Sequence, residues 1–136
     1  MADDAITRLL EAIDYPERPS TGATAVPLLV DGGTIVAEDV DGRLRLVCRL
    51  TDNADDLPRL AAYAAGRMLR EDAVLASDAA GAFLWQEAPA GADAHRLRRL
   101  FEAFADSCDW WRARVEARRS ADGSSDSLFS EMIIRP

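Results

Sequence analysis

The hydrophobic residues of this chain change their spacing in a fixed order, and this order constrains the fold more than any single motif. Helical spacing at the start gives way to the two-residue alternation of strands, and a helix, two strands and a long helix follow within 136 residues. We therefore predict an α+β domain with the order α-β-β-β-α-β-β-α. Its hairpin-linked strands form a twisted antiparallel sheet that helices pack against.

The first half of the chain carries one helix and three strands. The helix is predicted over residues 3–14, because four apolar residues have the i, i+3, i+4, i+7 spacing of one stripe and Pro16 ends it. Turn signals at Asp31-Gly32-Gly33 and Asp41-Gly42 separate the strands. The predicted strands are Ala25–Val30, Thr34–Glu38 and Arg43–Leu50. Apolar residues alternate with arginines in the third strand, so one face of the sheet is expected to be buried and the other wetted.

The second half adds a helix of small residues, two short strands and the longest helix. The alanine-rich helix is predicted over residues 57–70, and the strands over residues 73–77 and 82–87. The last helix, residues 93–119, carries the strongest apolar stripe in the sequence. These elements complete the predicted order.

Residues 120–125 have the Ser, Asp and Gly composition of a flexible linker. We therefore expect a single domain over residues 1–119, followed by a linker and a short apolar tail over residues 120–136. A chain of this length buries enough surface to fold without metals or disulfides. Cys48 and Cys108 both lie at apolar positions of their segments, which favours buried thiols over a disulfide or a metal pair.

The charge of the chain limits the classes of partner that it can bind, and its N-terminal sequence bears on its location in the cell. The net charge is −8 and the isoelectric point near 4.6, so nucleic acid and anionic membranes, which need a basic surface, are disfavoured as partners. The N-terminus is acidic and no apolar stretch resembles a secretion signal or a membrane span. We expect a cytoplasmic protein.

Catalytic chemistry has little support in this sequence. His95 is the one histidine, and its position among arginines at the start of the last helix indicates a surface role. Asp52, Asp55 and Asp56 lack the spacing of a calcium loop and are interpreted as helix caps. Gly32-Gly33 lacks the following Lys-Ser/Thr of a phosphate loop. We predict a protein that is not an enzyme and uses no cofactor and no metal.

Two features leave room for binding. Arg43, Arg45 and Arg49 share one side of their strand, where they are either solvated or paired with an acidic partner. Trp111 lies on the apolar stripe of the last helix, whereas the adjacent Trp110 points elsewhere and is either half covered or available to a partner.

Several segments carry the pattern of a known family: the helix Ile6-Thr7-Arg8-Leu9-Leu10, the hairpin run Pro27-Leu28-Leu29-Val30-Asp31-Gly32-Gly33, the strand Gly42-Arg43-Leu44-Arg45-Leu46, the last helix with Phe101, Phe104 and Trp111, and the ending Ile134-Arg135-Pro136. In these segments and in the order of its elements, the chain resembles the class I type III secretion chaperones, the Tir chaperone family. The resemblance covers roughly residues 5–118. It rests on apolar patterns rather than on invariant motifs, and the small-residue second helix departs from the family.

The resemblance implies a bacterial cytoplasmic homodimer that binds an N-proximal segment of a secreted effector and keeps it secretion-competent without ATP. An extended segment of this kind can wrap around a domain and place apolar anchors in its grooves. By family position, the effector-binding groove is expected at Ile6, Leu9, Leu10, Ile13, Leu28, Val30, Ile35 and Val47. The dimer interface is expected at Leu57, Leu60, Ala61, Ala64 and Met68.

Further hypotheses stay open at this point. Leu128, Met132 and Ile134 resemble the spaced anchors of effectors, so the tail is a candidate occupant of a groove or strand edge of its own or a neighbouring subunit. The alternatives to a secretion chaperone are a chaperone-like regulatory or protein-stabilising module outside secretion, and a small α+β ligand-binding domain or enzyme. A deep pocket with perturbed acid or base groups would favour the last of these.

Overall fold

The computed structural model describes residues 5–17, 23–30, 33–67 and 72–134. It confirms the α+β class and the order of elements. The helices are α1 (Ala5–Ala12), α2 (Leu57–Arg67) and α3 (Ala94–Ile134), and a short 3-10 turn, Ala54–Asp56, precedes α2. The strands are β1 (Ala25–Val30), β2 (Gly33–Val40), β3 (Arg43–Thr51), β4 (Val74–Asp78) and β5 (Gly81–Glu87).

The five strands form one antiparallel sheet in the order β1-β2-β3-β5-β4. Consecutive strands are joined by hairpins except between β3 and β4, where α2 makes the connection and lets β5 pair with β3. The strand β3, whose alternation is the clearest in the sequence, therefore lies in the centre. The outer strands are β1 and β4.

The hydrophobic core lies between one face of this sheet and the helices α1 and α3. The apolar residues of β3 point into it, and the stripe of α3 covers them. Its largest side chains that are almost fully enclosed are Trp111, Phe104, Ile6, Leu9, Leu10, Leu28, Ile35, Leu46 and Leu84. The predicted stripe of α3 is thus the main cover of the sheet.

Polar contacts join α3 to the sheet and α1 to the loop that precedes α3. The Arg112 guanidinium of α3 donates a hydrogen bond of 2.9 Å from Nη2 to the carbonyl oxygen of Thr34, at the start of β2. At the other end, Arg8 of α1 donates to the carbonyl oxygen of Ala92, just before α3. Asp93 accepts a 2.8 Å hydrogen bond from the backbone N–H of Arg96 and so caps the N-terminus of α3.

The end of the last helix differs from the prediction. The composition of residues 120–125 indicated a linker after a helix ending near Arg119, but α3 continues to Ile134. Ser, Asp and a single glycine lower helix propensity by at most about 1 kcal/mol each, whereas only proline removes a backbone donor, and the chain has none between Asp93 and Arg135. The predicted division into a domain over 1–119 and a tail over 120–136 stays a prediction.

Candidate functional site

The second face of the sheet is the candidate binding surface. Strand residues that alternate with the core residues lie on this face, opposite α1 and α3, and we call it the open face. None of its residues is buried. Its members are Ala25, Pro27 and Leu29 of β1, Thr34, Val36, Glu38 and Val40 of β2, Arg43, Arg45, Val47 and Arg49 of β3, Val74, Ala76 and Asp78 of β4, and Phe83, Trp85 and Glu87 of β5.

The strand register aligns five apolar residues of the open face across all five strands. Pro27 pairs with Val36, Val36 with Val47, Val47 with Trp85, and Trp85 with Val74. We call this line the apolar row. Four of its members are half-buried and Pro27 is exposed, so the row is a continuous apolar surface within reach of solvent.

A charged line runs parallel to the apolar row, two residues along each strand. Glu38 pairs in register with Arg45, and Arg45 with Glu87. The Arg45 guanidinium forms an ion pair of 3.4 Å with Glu87 and lies 5.0 Å from the centre of the Trp85 ring. Arg45 Nε is buried without a hydrogen-bond partner among the described residues. The guanidinium therefore lies close to the sheet instead of extending into solvent.

The other side of the row carries a second arginine in the same arrangement. Arg49 donates two hydrogen bonds, of 2.8 and 3.0 Å, to the Asp78 carboxylate and lies 5.2 Å from the centre of the Phe83 ring. The bidentate contact holds the pKa of Asp78 below its usual value. The two arginines thus frame the middle of the row from both sides.

Between them is a shallow pocket with a volume of about 370 Å³. Val47 lies at its centre in the register, and the pocket is lined by Glu38, Arg45, Val47, Arg49, Asp78, Phe83 and Trp85. Its floor is apolar and its rim carries matched charges. Such a surface suits an apolar side chain with polar neighbours, which is the chemistry of a protein segment.

The edge of the sheet at β1 is protected, but the face beside it is not. The backbone N–H of Leu29 donates a 3.1 Å hydrogen bond to the Tyr15 hydroxyl, and Pro27 has no N–H to offer. The Leu29 side chain is nevertheless 76% exposed. It is the most exposed large apolar side chain among the described residues. It extends the apolar surface of the open face toward β1.

Most of the groove residues expected from the sequence lie in the core instead of on the surface. Ile6, Leu9, Leu10, Leu28 and Ile35 are all at most 1% exposed, because they fill the space between α1 and the sheet. Ile13 and Val30 are partly buried beside the core, and Val47 lies on the open face. Contact of any of these eight residues with an effector stays a prediction. Val47 is the one among them that lies on the open face.

The residues expected at a dimer interface are divided. Leu60 is 3% exposed and belongs to the core, whereas Ala61 is exposed on α2. The side chains of Leu57 and Ala64, and the whole of Met68, lie outside the described residues. The tail residues Leu128, Met132 and Ile134 lie on the backbone of α3. The use of α2 in a dimer and of the tail as an anchor remain predictions.

Sequence reasoning missed the apolar row. Val36, Trp85, Val74 and Pro27 were assigned to strands, but no pattern within one strand relates them. The available signal was β3, where Val47 interrupts a line of arginines on the polar side of an alternating strand. Hairpin lengths would have extended the register from Val47 to Val36, whereas the pairing of β3 with β5 depends on the tertiary fold.

A second depression, with a volume of about 840 Å³, adjoins the apolar row and shares Val74 and Trp85 with it. It is lined by residues of β4, β5 and the first turns of α3, with His95 and two arginines at its rim. His95 is exposed, as predicted for a surface role. Charges of both signs line it, and in the described part of the chain no group of three possible metal ligands occurs.

The thiols are buried as predicted, whereas the helix-cap role predicted for Asp52, Asp55 and Asp56 stays a prediction. Thr51 Oγ1 donates a 2.9 Å hydrogen bond to Asp56, and Asn53 Oδ1 accepts from the backbone N–H of Asp55, which closes the turn before α2. Cys48 of β3 and Cys108 of α3 are buried free thiols that contact each other across the core. The hydrogen bond between them and burial raise the pKa of Cys108.

Comparison with known proteins gives a match in structure. A solved structure titled "Structure of the HopA1-SchA Chaperone-Effector Complex" contains a chain that superposes with a TM-score of 0.60 at 16% sequence identity, over 77% of this chain and 88% of that chain. At this identity the match shows the fold. No protein-family model matches the sequence, and no curated protein sequence matches it. In the described residues no helix is long and apolar enough to cross a membrane.

Proposed function

We propose that the protein is a type III secretion chaperone that binds an N-proximal segment of a secreted effector in the bacterial cytoplasm. The observation that carries this proposal is the open face, on which none of the strand residues is buried and which carries an apolar row, on a fold shared with a chain of a chaperone–effector complex. The bound segment stays non-globular and competent for secretion. The described site consists of apolar surface and paired charges, which suits binding without chemical turnover.

The physical chemistry of the open face suits a segment that is unfolded before it binds. Ordering such a segment costs several kcal/mol, which a large contact must offset. Half-buried apolar side chains supply the contact, while the ion pairs of Arg45 and Arg49 on the rim allow water to be excluded without leaving charges unpaired. The proposal includes no use of ATP by the chain itself.

Co-expression tests this proposal. The full chain is produced together with N-terminal fragments of the proteins encoded beside it, and complexes are purified and weighed by native mass spectrometry. A stable complex with an effector fragment that is secreted through a type III apparatus supports the proposal. Binding only to a folded regulator, or retained secretion when the gene is deleted, contradicts it and indicates a module outside secretion.

The proposal includes a homodimer through α2. Ala61 is exposed on this helix, so Ala61→Asp leaves the core intact and is expected to convert dimers to monomers in analytical ultracentrifugation. Ala62→Asp is the matched control, since Ala62 is also exposed but lies off the predicted stripe. A dimer that survives Ala61→Asp unchanged argues against this interface.

The tail is proposed to compete with the effector. Removal of residues 124–136 is then expected to raise the affinity of the chain for the effector fragment, measured by isothermal titration calorimetry. An unchanged affinity would exclude an autoinhibitory role. The truncation leaves in place the core residues of α3 whose side chains are described, the last of which is Val115.

A further inference from the structure

We infer that the apolar row of the open face binds an amphipathic helix that lies across the strands, with apolar side chains at positions i, i+4 and i+7 directed to Val36, Val47 and Trp85. This inference rests on the proposed function and specifies the conformation of the bound segment. It follows from three observations: the spacing of the row, its place in the middle of the sheet, and the charges beside it.

The spacing of the row matches a helix and not an extended chain. Neighbouring strands lie about 4.8 Å apart, so the three central members of the row span about 10 Å. A helix advances about 10.5 Å between positions i and i+7. In an extended segment, side chains on the same side recur every 6.6–6.8 Å or so, and three of them span about 13 Å. An extended segment laid across the strands therefore loses register with the row by about 4 Å at the third anchor.

The position of the row favours a helix for a second reason. Val36, Val47 and Trp85 lie on β2, β3 and β5, and each of these strands is paired on both sides. Their backbone groups are used within the sheet and offer nothing to an added strand. A segment bound there must satisfy its own backbone hydrogen bonds, which a helix does internally. Twist of the sheet limits close contact to the three central strands.

The charges beside the row define the flank of the bound helix. Arg45 is paired with Glu87, whereas Glu38, which faces Arg45 from β2, has no ion pair among the described residues. A basic side chain on that flank of the helix is complementary to Glu38. On the other flank the carboxylate of Asp78 is already bound by Arg49 in bidentate fashion. The occupant is thus an amphipathic helix with a basic residue beside its apolar stripe.

The test uses three synthetic peptides of 16 residues with one composition of leucine, lysine, glutamine and alanine. In the first, leucines recur at helical spacing with lysine beside them; in the second, leucines alternate with polar residues; in the third, the order is scrambled. Fluorescence anisotropy of labelled peptides measures binding to the full chain. The helical peptide is expected to bind about tenfold or more tightly than either of the others. Equal binding of the three peptides, or tighter binding of the alternating one, overturns the inference.

Variants locate the binding. Val47→Asp, at the centre of the row, is expected to weaken the helical peptide about tenfold or more, and the milder Val47→Thr about threefold. Val40→Asp and Val40→Thr are matched controls, because Val40 lies on the same face of β2 with similar exposure but off the row. Circular dichroism checks that each variant is folded. If Val47→Asp does not fold, the comparison is made between Val47→Thr and Val40→Thr. Equal effects at both positions contradict the assignment.

The same variants separate this inference from the proposed function. If an effector fragment is captured in co-expression and its affinity is unchanged by Val47→Thr and Val47→Asp, the chaperone role stands and the row is not the site. If no effector is found but the helical peptide binds through Val47, the row is a helix site in a protein of another function. If Val47→Asp lowers the mass of the protein in solution from that of a dimer to that of a monomer, in the absence of peptide, a second copy of the chain covers the row. That result would overturn the inference.

Discussion

The contact between Arg112 and Gly33 permits a sharp test of how α3 is held on the sheet. A methyl group at Gly33 would lie 2.6 Å from Arg112 Nη2 and closer still to the rest of the guanidinium. To reach an ordinary contact of 3.4 Å, Nη2 must move by about 0.8 Å. When that shift is directed away from the Thr34 carbonyl, it lengthens the 2.9 Å hydrogen bond beyond the limit of about 3.5 Å. Gly33→Ala therefore removes a hydrogen bond formed by a different residue.

The magnitudes predict a reversal of sign. Loss of a hydrogen bond from a charged donor that can be rehydrated costs about 1.5 kcal/mol, whereas glycine to alanine within a strand gains about 0.5–1 kcal/mol. Gly33→Ala is thus expected to lower the free energy of unfolding by about 0.5–1 kcal/mol in the natural chain. In the background of Arg112→Ala the clash is absent, and Gly33→Ala is expected to raise the free energy of unfolding by about the same amount.

Urea unfolding followed by far-ultraviolet circular dichroism measures the four members of this double-mutant cycle. The expected coupling energy is about 1.5 kcal/mol. Gly66→Ala is the matched control, because a methyl group at Gly66 meets no atom within 4 Å and its effect should not depend on Arg112. If Gly33→Ala has the same effect in both backgrounds to within about 0.5 kcal/mol, the guanidinium does not occupy the position described and the reasoning is refuted.

Three further predictions concern the stability of the core. Gly81→Ala is expected to cost about 3 kcal/mol or more, since a φ of 135° strains an L residue and the new methyl group meets the Thr51 backbone; an unfolding midpoint close to that of the natural chain would contradict this. Trp111→Ala should cost about 3–5 kcal/mol and Trp110→Ala less than half as much, because Trp111 is 1% exposed whereas Trp110 is only partly buried; urea unfolding of both variants measures this difference. The hydrogen bond between the two thiols raises the pKa of Cys108 and lowers that of Cys48, so both thiols ionise above about pH 9 in the unfolded chain but only Cys48 does so in the folded one; stability should therefore fall with rising pH there by up to about 1.4 kcal/mol per pH unit, and the double variant Cys48→Ala/Cys108→Ala should show a smaller fall in unfolding measured from pH 7 to 10.5.

The sequence was sufficient for the order and type of the elements, because each is encoded by local spacing. The bounds of β1 were predicted to the residue, and β3 to within one residue at its end. The end of α3 was not predicted, because residues 120–125 have a composition that occurs in loops and in helices alike. Local composition gives a propensity, and continuation of a helix depends on the whole chain.

The candidate site was less accessible from the sequence. The apolar stripe of α1 was expected to line the effector-binding groove, but in the structure Ile6, Leu9 and Leu10 are fully enclosed in the core. An amphipathic stripe indicates that one face of a helix is buried. It does not indicate whether that face is buried by the same domain or by a partner. The apolar row, in contrast, has no local pattern in the sequence. Val47 and Trp85 are 38 positions apart in the chain and become neighbours only through the pairing of β3 with β5.

The charges of the open face differ from those of the chain as a whole, and this difference bears on how an exposed apolar row is tolerated. The chain carries a net charge of −8, yet Arg43, Arg45 and Arg49 on this face are balanced by Glu38, Glu87 and Asp78. The excess of negative charge therefore lies outside the open face, where its repulsion opposes non-specific aggregation. Beside the row the ion pairs hold both arginines over aromatic rings and leave Val47 uncovered between them. Solubility and access to the row are thus supplied by different residues, so a substitution at the row can alter binding without altering the repulsion that keeps the free chain in solution.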